Sequence, residues 1–124
     1  IDTKQEADGE WYVYLNGGRV KTDSRCSDWA RQAVDLGAGE ILLTSMNHDG
    51  TKQGFALDIT GTLALQLPVP VIASGGGGTM AHFADVFNNG HADAALAASV
   101  FHFKEIAIPG LKQYLRQEGI AVRL

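Results

Sequence analysis

The stretch Val71-Ile72-Ala73-Ser74-Gly75-Gly76-Gly77-Gly78 is a short apolar run that ends in one serine and four glycines. A second stretch of this kind follows it, Ala92-Asp93-Ala94-Ala95-Leu96-Ala97-Ala98-Ser99-Val100-Phe101. Each pattern predicts a buried strand whose small terminal residues precede a helix. Backbone N–H groups at such a position, together with the positive end of the helix dipole, attract phosphate. The two stretches therefore predict a phosphorylated ligand that is held by backbone amides.

The same alternation of strand and helix extends along the chain. Apolar periodicity predicts strands near 40–44, 69–73 and 92–97, and helices from Ser27 to Leu36, over 57–66, from Thr79 to Phe87 and over 109–118. Alternating elements predict an α/β fold with a parallel sheet. Two consecutive phosphate-binding strand ends are typical of the last units of a (β/α)8 barrel, the TIM-barrel fold.

The length of the chain limits how much of such a barrel it can form. One βα unit takes roughly 30 residues and a closed barrel about 250. We therefore expect the 124 residues to form about four units, a single C-terminal half-barrel domain over 1–124 whose first strand is truncated at Ile1. Aromatic and β-branched residues on both sides of Asn16-Gly17-Gly18 predict a β-hairpin that decorates the loop after that first strand.

Composition excludes several classes of function. With 45% hydrophobic and 19% charged residues the chain is typical of a globular domain, and its net charge of −4 argues against nucleic acid as a partner. The apolar stretches are too short for a membrane span. Cys26 is the only cysteine, which excludes an internal disulfide and favours a reducing, cytoplasmic setting.

Two carboxylates stand at informative positions. Asp2 lies where the first strand should end, the usual position of a catalytic acid or base in such barrels, although a terminal aspartate can also be merely solvated. Glu40 shares a strand face with Leu42 and Thr44. It is either a functional charge at the base of the barrel interior or a solvated residue where the strand begins.

Other polar residues fit a ligand site less specifically. Asp49 could hold a ligand hydroxyl or only form a turn, and Ser74 and Ser99 could bind phosphate or cap helices. The four histidines show no metal-binding spacing, so neither a metal nor another cofactor is expected.

Several motifs together resemble a known family: Ile1-Asp2-Thr3-Lys4, Gly37-Ala38-Gly39-Glu40-Ile41-Leu42-Leu43-Thr44-Ser45, Asp49-Gly50-Thr51, Val71-Ile72-Ala73-Ser74-Gly75-Gly76 and Leu96-Ala97-Ala98-Ser99-Val100-Phe101-His102. In this order they are similar to the C-terminal half of the cyclase subunits of imidazole glycerol phosphate synthases. The resemblance implies an enzyme of histidine biosynthesis. It uses ammonia from a glutaminase partner to convert a phosphoribulosyl-formimino aminoimidazole carboxamide ribonucleotide into imidazole glycerol phosphate and AICAR.

The resemblance also implies roles for individual residues. Asp2 matches one of two catalytic aspartates, and Glu40 matches a charged ring through which ammonia enters. The substrate-binding positions are matched by Thr44, Asp49, Gly50 and Ser74, and the seat of one substrate phosphate by Gly75, Gly76, Ala98 and Ser99. Ala56 departs from the family pattern, because it replaces an aspartate that could cap a helix.

The expected partners follow from the half-barrel. It needs either the N-terminal half or further copies of itself, and the 124 residues alone are expected to be inactive. Two alternatives are a phosphoribosyl isomerase of the same barrel family and a non-catalytic half-barrel that only binds phosphate. A β-branched residue in place of Gly76 is expected to block phosphate without unfolding the chain.

Overall fold

The structure is a computed structural model that describes residues 1–124. Its strands are β1 (Asp2–Gln5), β2 (Trp11–Leu15), β3 (Val20–Arg25), β4 (Ile41–Ser45), β5 (Val71–Ser74) and β6 (Ala94–Leu96). Its helices are α1 (Cys26–Asp35), α2 (Leu57–Gln66), α3 (Met80–Asn88), α4 (Ser99–His102) and α5 (Ile108–Gln117). None of the helices has the length and apolar character that crossing a membrane requires.

All six strands form one sheet in the order β3-β2-β1-β4-β5-β6. The strands β1, β4, β5 and β6 run parallel, as the alternation of strands and helices predicts. The predicted hairpin is present as β2 and β3, but it does not decorate a loop. Because β2 pairs antiparallel with β1 from Asp2–Tyr14 to Gln5–Trp11, the hairpin continues the sheet beyond β1.

The helices cover one face of this sheet, and the core lies between them and the strands. One cluster of buried side chains surrounds Phe83 and Val100, and a second surrounds Leu43 and Leu63. The opposite face has no helical cover, and Leu42 and Leu96 on it are 42% and 44% exposed. Four parallel strands with helices on one face make half of a (β/α) barrel, which confirms the predicted fold class.

Several element ends differ from the predicted ones. Helix α1 begins at Cys26, and its N-cap residue Arg25 makes no side-chain capping bond, so the chain reaches the helix directly from β3. Strand β4 begins at Ile41, which leaves Glu40 outside it. Strand β5 begins only at Val71, because Pro70 has no N–H to donate to a ladder.

The start of α3 has the cap that the sequence predicts. The backbone N–H of His82 donates to the Thr79 hydroxyl over 3.4 Å. The Thr79 N–H donates to Nδ1 of His82 over 3.3 Å, which completes a reciprocal capping box. Nδ1 of His82 also accepts from the Gly78 N–H, so the cap is continuous with the glycine run before the helix.

We expect Thr79→Ala to lower the free energy of unfolding by about 1 kcal/mol or less, because the His82 N–H at the start of α3 loses its side-chain acceptor and keeps only the Thr79 carbonyl, 3.1 Å away. Thr79→Ser keeps the hydroxyl and serves as the control. Urea denaturation of the two variants measures the difference. Equal stability of both variants would show that the Thr79 hydroxyl does not stabilise the helix.

Candidate functional site

Three of the predicted site residues lie in one row across the parallel strands. Asp2 of β1 is paired with Thr44 of β4, and Thr44 is paired with Ser74 of β5. Neighbouring parallel strands lie about 4.8 Å apart, and residues in register point to the same face. The row therefore brings a carboxylate and two hydroxyls together on the uncovered face, at the C-terminal ends of β4 and β5. Asp2 itself is the first residue of β1 and not the last, so its predicted position at the end of the first strand is wrong, because β1 continues to Gln5 in its pairing with β2.

Glu40 lies at the other end of the same face. It is exposed, it immediately precedes β4, and it forms neither a hydrogen bond nor an ion pair within the chain. At about 3.3 Å per residue, Glu40 and Thr44 are roughly 13 Å apart along the strand. Glu40 is therefore distant from the row, and its side chain is exposed in this structure.

A cavity of about 220 Å³ opens beside the row, where the loops after β4, β5 and β6 meet. It is lined by Asp49, Gly50 and Lys52 and by the segments 74–77 and 96–99. All four predicted phosphate-seat residues are among the lining residues, as are three of the four predicted substrate-binding residues. Thr44 is the exception, and it adjoins the cavity through its strand partner Ser74.

Several backbone N–H groups that line this cavity donate to no acceptor within the chain. They belong to residues 75–77 and 97–99. Gly75 and Gly76 are buried, although a buried N–H normally has a partner. The hydroxyls of Ser74 and Ser99 are also without a partner in the chain. Several donors without acceptors at one cavity are what an anionic ligand needs.

The glycine run also has a role that the sequence does not predict. A Cβ on Gly75 would lie 2.8 Å from the Ser45 carbonyl oxygen, and one on Gly76 would overlap the Gly54 carbonyl oxygen. These contacts are with the loop after β4 and not with the space of the cavity. The expectation that a side chain at Gly76 only blocks a ligand is therefore wrong, because the side chain would first displace protein backbone.

The loop after β4 is fixed by its own hydrogen bonds. The N–H groups of His48 and Asp49 donate to the Ser45 carbonyl over 3.2 and 2.9 Å, and the Ser45 hydroxyl lies 2.8 Å from Nδ1 of His48. The Thr51 hydroxyl donates to the His48 carbonyl over 2.7 Å. The carboxylate of Asp49 makes no hydrogen bond within the chain, so it is free to accept one from a ligand.

Sequence reasoning did not identify Tyr14 or Lys52 as site residues. Tyr14 of β2 is paired with Asp2, which places it at the end of the row. Its hydroxyl donates to the Glu6 carboxylate, and this hydrogen bond raises the pKa of Tyr14, so the phenol stays protonated at neutral pH. Finding Tyr14 would have required the hairpin register, which the sequence does not reveal.

The remaining candidates form no second site. No group of histidine, cysteine and acidic side chains is arranged to hold a metal ion. Cys26 is completely buried, and burial raises the pKa of its thiol, so it is a packing residue and not an available nucleophile.

Comparison with known proteins assigns the family. The model of the histidine biosynthesis protein family matches residues 1–107. The chain belongs to this family. It is 62% identical over 124 residues to imidazole glycerol phosphate synthase subunit HisF of Phocaeicola vulgatus and also to that of Parabacteroides distasonis, and 56% identical to that of Flavobacterium johnsoniae.

Each of these alignments covers 100% of the chain and 49% of the relative. The chain therefore spans about half the length of the curated relatives that it matches. The residues that the family model matches include the whole row and every residue that lines the cavity, since all of them lie between residues 1 and 107.

We expect Gly76→Ala to destabilise the protein clearly more than Gly37→Ala. Both glycines have positive φ, +102° and +106°, so both replacements carry the cost of a left-handed backbone, roughly 1–2 kcal/mol. Only at Gly76 does the new Cβ also meet backbone, since nothing lies within 4 Å of a Cβ at Gly37. Chemical denaturation of both variants compares the two positions, and equal losses would show that the loop contact contributes nothing.

Proposed function

We propose that this chain forms the C-terminal half of the cyclase in an imidazole glycerol phosphate synthase. The complete enzyme would use ammonia to convert a phosphoribulosyl-formimino aminoimidazole carboxamide ribonucleotide into imidazole glycerol phosphate and AICAR. The names of the relatives support this reaction over that of a phosphoribosyl isomerase.

The observation that carries the proposal is the cavity with its unpaired N–H donors beside the Asp2 row. In the proposed complex, one substrate phosphate binds to the N–H groups of Gly75, Gly76, Ala98 and Ser99. These donors are fixed in the fold before binding, so little ordering is needed when the phosphate arrives. The anchored substrate then extends from the cavity across the row.

Asp2 is proposed as one member of the acid–base pair. Its carboxylate lies on the uncovered face in register with Thr44 and in one row with Ser74, where it can take a proton from the reacting group and return it. The second aspartate would come from the other half of the barrel. The 124 residues by themselves would then bind phosphate without catalysing the cyclisation.

The neighbouring polar residues would orient the substrate. Thr44 and Ser74 can donate and accept hydrogen bonds, whereas the Asp49 carboxylate can only accept them. Asp49 would therefore bind a sugar hydroxyl and not the phosphate, because its carboxylate and the phosphate are both negatively charged and repel each other. The backbone of Gly50, beside Asp49, completes this side of the substrate site.

Ammonia would reach the row along the uncovered face of the sheet. That face leads from Glu40 past Leu42 to Thr44, and a glutaminase partner at the Glu40 end could deliver ammonia there. Closing the face into a channel needs four more βα units, from another part of a longer protein or from a second half-barrel. Either would also cover Leu42 and Leu96 and pair the free edge of β6.

Asp2→Asn, in a complete barrel that carries this sequence, should lower ammonia-dependent turnover by about 10²–10⁴-fold and leave substrate affinity nearly unchanged. The amide keeps the shape of the carboxylate but cannot carry a proton at neutral pH. Asp23→Asn, on the exposed strand β3, is the matched control. Normal turnover of the Asp2 variant would exclude the acid–base role and with it the proposed site.

Glu40→Ala should leave turnover with free ammonia unchanged and reduce only turnover that depends on glutamine hydrolysis by the partner. The reason is its position at the far end of the strands, away from the row. Glu118→Ala, at the exposed end of α5, serves as the control. Equal losses in both assays would indicate that Glu40 stabilises the fold and does not transfer ammonia.

A further inference from the structure

Lys52 is the only cationic residue that lines the cavity. The one other charged residue there is Asp49, whose carboxylate repels a phosphate group. Without a positive charge, the N–H donors alone would have to overcome this repulsion. A positive charge at the rim would offset it, because charges a few ångströms apart at a protein surface still interact appreciably.

The backbone holds Lys52 in an unusual conformation. Its φ is +57°, in the left-handed region where the Cβ of an L-residue crowds its own backbone. Its carbonyl oxygen packs so closely on Gly78 that a Cβ at residue 78 would overlap it. A strained residue that is fixed against the glycine run at a cavity is a candidate for a role in that cavity.

The ammonium group of Lys52 is held by a carboxylate from another loop. Nζ lies 2.6 and 2.9 Å from the two carboxylate oxygens of Glu105, which follows α4. The residue before Glu105, Lys104, also has a left-handed backbone, with φ +58°. The two side chains are 42% and 41% exposed, and ion pairs with this exposure contribute little to stability. The ion pair therefore adds too little stability to account for the strained backbone at Lys52 and at Lys104.

We propose that Lys52 is a phosphate ligand and that Glu105 holds it at the rim of the cavity until a phosphate binds. The inference rests on the proposed function, since it adds a specificity residue to the same phosphate site. An ammonium group is a compact charge with three donors on a flexible stem, so it can exchange one anion for another. A phosphate dianion carries more charge than the Glu105 carboxylate and displaces it. A singly charged anion competes less well, so the pair makes the site selective for dianions.

The test is a double-mutant cycle of Lys52→Gln and Glu105→Gln in a complete barrel that carries this sequence. Inorganic phosphate is titrated, and binding is followed by the amide NMR shifts of Gly76 and Ser99. Lys52→Gln should weaken binding about tenfold, and Glu105→Gln should strengthen it about threefold because Lys52 is released. In the Lys52→Gln background, Glu105→Gln should have almost no effect.

The cycle separates this exchange from simpler explanations. If the two side chains act only through their electric field, Glu105→Gln strengthens binding equally in both backgrounds, which overturns the proposal. If the pair only braces the loops, both single variants weaken binding, which also overturns it. Lys104→Gln removes a neighbouring positive charge as a control and should change the affinity much less than Lys52→Gln.

A second variant and the behaviour of the wild-type protein distinguish failure of folding, of the proposed function and of this inference. If Lys52→Gln disturbs amide shifts far from the cavity, Lys52→Asn replaces it, because asparagine tolerates the left-handed backbone. Wild-type protein in which phosphate moves neither Gly76 nor Ser99 would overturn the proposed function and this inference together. Wild-type binding with an additive cycle would overturn the inference alone.

Discussion

Four successive residues without a Cβ, 75–78, allow the loop after β4 to pack directly against the loop after β5. In this contact the N–H of Gly54 donates to the Gly76 carbonyl over 2.8 Å, and the Lys52 backbone lies on Gly78. The contact determines the shape of the cavity on one side. It also brings Asp49, Gly50 and Lys52 to the unpaired N–H groups that follow β5 and β6. Side chains in the run would separate the two loops, and the cavity would lose one wall.

The helical layer gives this arrangement a rigid base. Both core clusters lie between the sheet and its helices, and Leu43, Leu63, Phe83 and Val100 are almost completely buried in them. The polar row and the cavity use the other face and the strand ends, where no core packing is needed. Residues that stabilise the fold and residues of the proposed ligand site are therefore largely different, although they alternate along the same strands. In β4, for example, Leu43 points into the core and Thr44 into the row.

The sequence predicts the fold well because its signals are local. Apolar alternation, the Thr79 cap and the glycine run each lie within a few residues, and parallel pairing of consecutive units brings Asp2, Thr44 and Ser74 together. Features that depend on distant pairs are not predictable in this way. The partner of Lys52 is 53 residues away, and the neighbour of Asp2 at Tyr14 depends on the hairpin register. The glycine run shows both cases: residues 75–77 line a cavity, as their position after a strand suggests, but the atoms that a Cβ on them would meet belong to another loop.

The pairing of β1 has a consequence for how the sheet opens. Of its four residues only Thr3 is buried, whereas β4 and β5 each bury three residues. Strands with little buried surface exchange their amide protons through local unfolding, at a lower free energy than the core. We expect β1 to detach from β4 while β4, β5 and β6 stay paired. Asp2 then belongs to the part of the molecule that opens first, and the cavity to the part that persists, so the proposed protonation chemistry and the proposed anion binding would reside in regions of different local stability.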